Sequence, residues 1–192
     1  LTQNKMTVVS IYTDNATNTT EEALANKSAE IEKLIQIATL ANDTNLTDDG
    51  KVTGDPTETS LVDAALKFSV NKNELDAKFT RVKEIPFDSE RKLMTTVNRI
   101  DNSKYLVNTK GGLDELLARC TTILENGKIV PLNEKHKSTI TAANLKMAEN
   151  ALRVLAMAYK ELDHEPGDEE MLSLEKDLTY VGMVGMIEPP RP

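Results

Sequence analysis

The sequence predicts a mixed α and β domain, and three observations carry that reading. Two β-branched or apolar runs, Met94-Thr95-Thr96-Val97 and Tyr105-Leu106-Val107, flank a polar turn at Asp101–Lys104, the pattern of an antiparallel hairpin. A second hairpin surrounds Glu125-Asn126-Gly127, because Asn-Gly supplies the two left-handed positions of a tight turn. Other segments repeat apolar residues every three to four positions, as on one face of a helix.

Taken in order, Met6–Tyr12 reads as a strand and the polar, threonine-rich stretch Thr13–Asn26 as a loop. Ser28 heads a run with Ile31, Leu34, Ile35 and Ala38 on one face, so a helix is expected over Ser28–Asn42. Asn42–Asp55 is a long polar connection. Gly54-Asp55-Pro56-Thr57-Glu58 then opens a helix: proline suits a first turn, Glu58 complements the dipole, and Leu61, Ala64, Ala65 and Phe68 form the buried stripe. Strands are expected over Ala77–Phe87, Lys92–Ile100 and Lys104–Thr109, then a short helix over Gly112–Cys120. The second hairpin uses Thr121–Leu124 and Lys128–Pro131. A helix over Asn133–Asn150 has Ile140, Ala143, Leu145 and Met147 on its apolar side.

Leu152–Tyr159 reads as a buried strand with Arg153 near its start, and an arginine so placed needs an anion to offset its desolvation. An acidic loop over Glu161–Glu170, a short helix over Met171–Lys176 and a strand over Leu178–Met186 come next. Prolines in Ile187–Pro192 end any further ladder. This pattern fits several sheet topologies and does not choose among them.

Length and charge narrow the function. The 192 residues suit one domain with a sizeable core. With 31 acidic against 23 basic residues the net charge is −8, which argues against a nucleic-acid backbone or an anionic membrane as partner, since both demand concentrated lysine and arginine. A small anion needs only two or three convergent cations and stays open. The single cysteine, Cys120, excludes an internal disulfide and a multi-cysteine zinc site, and its apolar neighbours make it a buried helix residue. His136 and His164 lie in charged stretches expected to be exposed and have no ligand-spaced companions, so neither is given a metal or catalytic role. No apolar run approaches the roughly 18 residues that span a bilayer, and no signal peptide opens the sequence. The Asn-x-Ser/Thr triplets at Asn15, Asn18, Asn26, Asn42 and Asn45 are read as a by-product of polar composition. The expectation is a monomeric, soluble module of a reducing compartment.

The stretch Ile85–Gly112 carries the chemistry. It holds one aromatic ring, Phe87, a lysine five residues on, Lys92, and a second lysine against a glycine pair, Lys110-Gly111-Gly112. If the first hairpin forms, Lys92 at the start of one strand comes beside Lys110 at the end of the other. A flat ring next to two ammonium groups and bare backbone suits a planar base carrying phosphates. Each residue also has an ordinary reading: Phe87 as core, the lysines as solvated strand ends, Gly-Gly as a loop opening.

Several pieces in one order resemble the P-type ATPases. The opening Leu-Thr-Gln-Asn-Lys-Met-Thr-Val is similar to the segment just after the Asp-Lys-Thr-Gly-Thr phosphorylation motif of that family. Gly-Asp-Pro-Thr-Glu, Pro-Phe-Asp-Ser-Glu-Arg-Lys-Leu-Met, Lys-Gly-Gly and Leu-Arg-Val-Leu-Ala-Met-Ala come after it in the family's order. The closing Gly-Met-Ile-Glu-Pro-Pro-Arg-Pro resembles the segment that re-enters the phosphorylation domain. The resemblance covers the whole chain and is to the bacterial, calcium-pump-like branch.

That resemblance implies an α/β fold of the α+β type, with an antiparallel six- to seven-stranded sheet flanked by helices. It implies one ATP-binding domain over residues 1–192, with 1–6 and 187–192 as hinge strands toward a phosphorylation domain. The adenine would stack on Phe87, with Thr57 and Glu58 lining the base pocket. Lys92 and Lys110 would flank the base and the start of the phosphate chain, Gly111 would allow close backbone approach, and Arg153 would reach the phosphates. The phosphorylated aspartate and most Mg²⁺ ligands would lie elsewhere, so no catalytic residue is assigned here. Expected partners are ATP or ADP and the phosphorylation, actuator and transmembrane domains of a membrane pump, with no nucleic acid. Two departures stand out: Gly112-Leu113-Asp114 replaces the usual Ala-Pro-Glu and implies a looser rim, and Glu188 replaces the usual Asp. Alternatives from other classes are a free-standing nucleotide-binding regulator and a ligand-free interaction domain.

Overall fold

The computed structural model describes residues 5–188. Along the chain it runs β1 (Thr7–Thr13), β2 (Ala16–Thr19), α1 (Thr20–Ala25), α2 (Ala29–Leu40), β3 (Asn45–Leu46), β4 (Val52–Thr53), α3 (Pro56–Lys67) and α4 (Lys72–Lys78). Next come β5 (Arg81–Ile85), β6 (Leu93–Asp101), β7 (Lys104–Gly111), α5 (Leu113–Leu117), β8 (Cys120–Glu125), β9 (Lys128–Pro131), α6 (Glu134–Glu149), β10 (Arg153–Leu162) and β11 (Leu178–Ile187).

The sheet has nine strands, two more than the six to seven expected, and is mostly antiparallel; seven of them form one path in the order β2-β1-β11-β10-β7-β6-β5, each pair antiparallel. The β8–β9 hairpin extends the same sheet. β1 pairs with residues 182–187 of β11, and where it leaves that edge β8 takes over, parallel, along 178–180. Room for this crossing comes from Gly182, where a Cβ would stand 2.2 Å from the Tyr12 carbonyl oxygen.

Helices cover both faces. On one, Leu34 and Ile37 of α2 and Leu61 and Ala65 of α3 pack against Val8, Ile11, Met157 and Val184. On the other, Leu116 of α5 and Ile140 and Met147 of α6 pack against Leu93, Val97, Ala156 and Tyr180. The alternation of strand side chains produces the division: in β10, Met157 belongs to the first core and Ala156 and Ala158 to the second. Both hairpins form as expected, the second with Asn126 at φ 50 and Gly127 at φ 77.

Several elements differ from expectation. Thr13–Asn26 is not a loop: β2 pairs with β1, and α1 is closed by a capping box in which Thr19 and Glu22 bond each other's backbone amides. The connection Asn42–Asp55 contains the small β3–β4 ladder. Ala77–Phe87 is not one strand, because α4 occupies its start and β5 ends at Ile85. The helix expected over Gly112–Cys120 stops at Leu117, and Cys120 is buried in β8. Met171–Lys176 holds the end of a 3-10 turn over Asp168–Ser173. Leu145 is 59% exposed, so it is no part of the apolar face of α6. His136 is buried, its ring bonded to Glu125 and to the Asn133 amide. Most of the expected hinge segments, 1–4 and 189–192, lies outside the described residues; at their inner limits Thr7 pairs with Ile187.

Candidate functional site

A cleft of about 780 Å³ opens where the N-terminus of α3 faces the ends of β6, β7 and β10. Thr57, Glu58, Phe87, Lys92, Lys110, Gly111 and Arg153 all line it, with Asp43, Met94 and Leu155. Residues nominated from four separate stretches therefore converge on one wall-and-floor arrangement.

The α3 wall is set by its cap. Asp55 accepts a 2.8 Å hydrogen bond from the Thr57 amide, and Pro56 supplies a first-turn residue with fixed φ. Thr57 and Glu58 are thereby held in the first turn at the cleft. Arg153, at the start of β10, donates from Nη1 to Thr57 Oγ1 at 3.1 Å. The arginine is exposed, which corrects the expectation of a desolvated side chain that needs an anion to offset its burial; a neutral hydroxyl is its hydrogen-bond partner among the described residues.

Opposite stands the β5–β6 loop. Phe87, expected to end a strand, is instead on this loop, beyond the end of β5 at Ile85, and is 61% exposed, which excludes the core reading. Lys92 is exposed, with φ +62, and its amide donates to the Asp88 carbonyl at 2.7 Å, closing the loop immediately before β6.

The floor is β7. Hairpin register sets Met94 across from Lys110 and Leu93 across from Gly111. Lys110 is 6% exposed and is not a solvated strand end: its ammonium donates to Glu58 Oε2 at 2.6 Å and to the Ala41 carbonyl. Burial lowers its pKa, and the charge of Glu58 opposes that fall. Gly111 is required by the chain itself, since a Cβ there would lie 2.1 Å from the Lys92 carbonyl oxygen. Its close approach is to that carbonyl. Gly112, at φ −61, caps α5 and donates to the same carbonyl at 3.1 Å.

The family model for the P-type ATPase cytoplasmic domain N matches residues 30–192. The chain belongs to this family. Relatives carry the same relation over its full length. The chain is 43% identical over 191 residues to a calcium-transporting ATPase of Bacillus cereus, 42% identical over 194 residues to one of Listeria monocytogenes, and 38% identical over 191 residues to one of Lactococcus lactis. In each case all of the chain is covered, and it spans about a fifth of the relative's length (21–22%).

Within this N domain, sequence reasoning missed Asp43. Its amide points at both Glu58 oxygens, 3.3 Å away, while its carboxylate pairs with Arg81 at 2.8 Å. Asn42 adds a 3.0 Å bond from Nδ2 to the Glu58 carbonyl, so the end of α2 fixes the start of α3. Helix-end contacts of this kind leave no periodic trace in a sequence. Also missed was Arg91, which lies outside the cleft and ties the Phe87 loop together. No group of three or more His, Cys, Asp or Glu side chains among the described residues could hold a metal ion, and no described helix is long and apolar enough to cross a membrane.

Proposed function

We propose that the cleft binds ATP and that the domain delivers its γ-phosphate to an aspartate in a neighbouring phosphorylation domain. The exposed ring of Phe87 carries this reading. A solvated phenylalanine in a cleft with Lys92 and Arg153 has apolar surface to gain from a purine and cations to offer a polyphosphate. In this account the adenine stacks on Phe87 and its amino group donates to Glu58 beside Thr57. Lys110 stays paired with Glu58 at the edge of the base pocket, while Lys92 and Arg153 face the phosphates.

Mg²⁺ travels on the phosphate chain. The carboxylates of the cleft are already engaged, Glu58 by Lys110, Asp43 by Arg81 and Asp55 by the α3 cap, so protein ligands to the ion come mainly from outside this chain. The chain's own contribution is positioning. Phosphoryl transfer breaks the terminal P–O bond of ATP as the bond to the aspartate oxygen forms, ADP leaves, and the rate depends on in-line placement. Hinged closure onto the phosphorylation domain brings the two together, and the covalent intermediate splits hydrolysis into two steps.

The relatives' names, calcium-transporting ATPases, support calcium as the transported ion; in this reading the other partners are the actuator and transmembrane domains of a membrane pump. In that setting this domain lies on the cytoplasmic side, and as an isolated monomer it holds nucleotide without turning it over. Binding of a fluorescent ATP analogue to Phe87→Ala tests the reading. The ring is mostly exposed, so its loss changes stability by no more than about 0.5 kcal/mol while affinity collapses. Undiminished binding by the variant overturns the assignment.

A further inference from the structure

Phe87 is too exposed to be held by packing, so the backbone of its loop must set where the ring stands. One guanidinium organises that loop. Arg91 Nη2 donates to the carbonyls of Pro86 at 3.1 Å and Leu93 at 2.6 Å, on either side of the loop. Its Nη1 meets the Asp88 carboxylate, whose other oxygen caps the Glu90 and Arg91 amides at 3.0 and 2.7 Å. Phe87 thus sits between two residues, Pro86 and Asp88, that the same side chain grips.

Arg91 is itself oriented from outside the cleft. Glu175, 4% exposed in the segment before β11, stands with Oε1 2.8 Å from Arg91 Nε, an ion pair whose N–H is not aligned on the oxygen. The second carboxylate oxygen accepts from Thr95 of β6, and Arg119 approaches Oε1 at 3.5 Å. Thr95 is in turn bonded to Thr109 of β7 at 2.8 Å, so the carboxylate is anchored to the strands that form the cleft floor. Burying a carboxylate is costly unless it is paired, and here the pairing ends on the loop that carries Phe87 and Lys92.

We propose that Glu175 is a positioning residue for the nucleotide cleft, acting through Arg91 to hold the Phe87 loop. This rests on the nucleotide reading above. It assigns to a residue that does not line the cleft a share of the cleft's affinity.

Two variants test it in the full chain. Glu175→Gln keeps shape and the Thr95 contact but removes the charge, and Arg91→Lys keeps the charge but loses the planar fork across several acceptors. ATP affinity is read by NMR titration, together with the resonances before nucleotide is added. Each variant is expected to bind ATP about tenfold more weakly, with the Phe87 ring and Lys92 amide signals already moved without ATP and those of Thr57 and Arg153 unmoved. Affinity within twofold of wild type in both variants overturns the inference. So does weakened binding with Thr57 and Arg153 signals displaced as far as those of Phe87, because that pattern marks general loosening. A wild-type chain with no ATP response sinks the nucleotide reading and this inference together, whereas a normal wild-type response with unchanged variants sinks this inference alone.

Discussion

Glu58 and Lys110 are 52 residues apart in sequence and 2.6 Å apart in the fold. The pair joins the first turn of α3 to the end of β7, and it is shielded: the side chains are 17% and 7% exposed. Removing one partner of such a pair strands the other charge, which outweighs the modest net worth of the pair itself.

Glu58→Gln is therefore expected to destabilise the domain by about 3 kcal/mol. Lys110→Met in the same chain should recover most of that loss, since two neutral groups leave no buried charge. Removing Glu58 also takes away the main opposition to burial at Lys110, leaving the smaller effect of the Asp43 charge, so its pKa should fall further below its ordinary value. Urea unfolding of the single and double variants measures the stability claim, and a double variant no more stable than Glu58→Gln would contradict it.

Gly111→Ala probes the floor. Its Cβ would have to displace the Lys92 carbonyl, 2.1 Å away, and the neighbouring atoms belong to backbone or to buried Leu93. A loss of about 2 kcal/mol or more is expected, together with weaker nucleotide binding because Lys92 moves. Gly112→Ala should be mild, because the obstructing atom there is the far end of the Glu115 side chain. Thermal melts of the two variants side by side give the comparison. Equal shifts would mean that the crossing of the chain at Gly111 is not the constraint.

His164 gives a pH-dependent contact away from the cleft. Its Nδ1 meets Asp163 and its Nε2 meets Glu170, each at 2.8 Å, and these hydrogen bonds raise its pKa above 6.5. A raised histidine pKa stabilises the fold below the unfolded value, near 6.5, and that contribution disappears as pH rises through the folded value. Titration of the ring proton signals should give a midpoint above 6.5, lowered in Glu170→Gln. A wild-type midpoint at or below 6.5 would contradict the geometry.

Much of the fold was legible because its signals are local. Asn126-Gly127 and the Asp101–Lys104 turn each specify a hairpin within a few residues, and Ser28 and Pro56 mark helix starts by chemistry that acts over one turn. Two short helices were lost for want of an apolar face. α1 buries Ala23 and Thr20, and α4 buries only Lys72, so their caps, Thr19 with Glu22 and Asn71 with Glu74, were the available signals. Leu145 was misplaced because five residues from Ile140 is well over a quarter-turn off the face that Ile140 and Met147 share seven apart.

The site was legible to a different depth. Lys92 and Lys110 line the same cleft, although the hairpin register sets Met94 across from Lys110 and leaves Lys92 just before β6, and their environments diverge: one is exposed and the other buried against Glu58. That difference is a tertiary contact, set by where α3 lands, and no spacing within β7 encodes it. The Glu175–Arg91 link escaped for the same reason, its ends lying 84 positions apart in the sequence.

The most direct test of the nucleotide reading is a titration of the isolated chain with ATP, monitored through the shifts of individual NMR signals. The account predicts saturable shifts at Phe87, Lys92, Gly111 and Arg153 with a dissociation constant in the sub-millimolar to millimolar range, about 4–5 kcal/mol. No shifts, or shifts confined to the acidic stretch Glu161–Glu170, would contradict it.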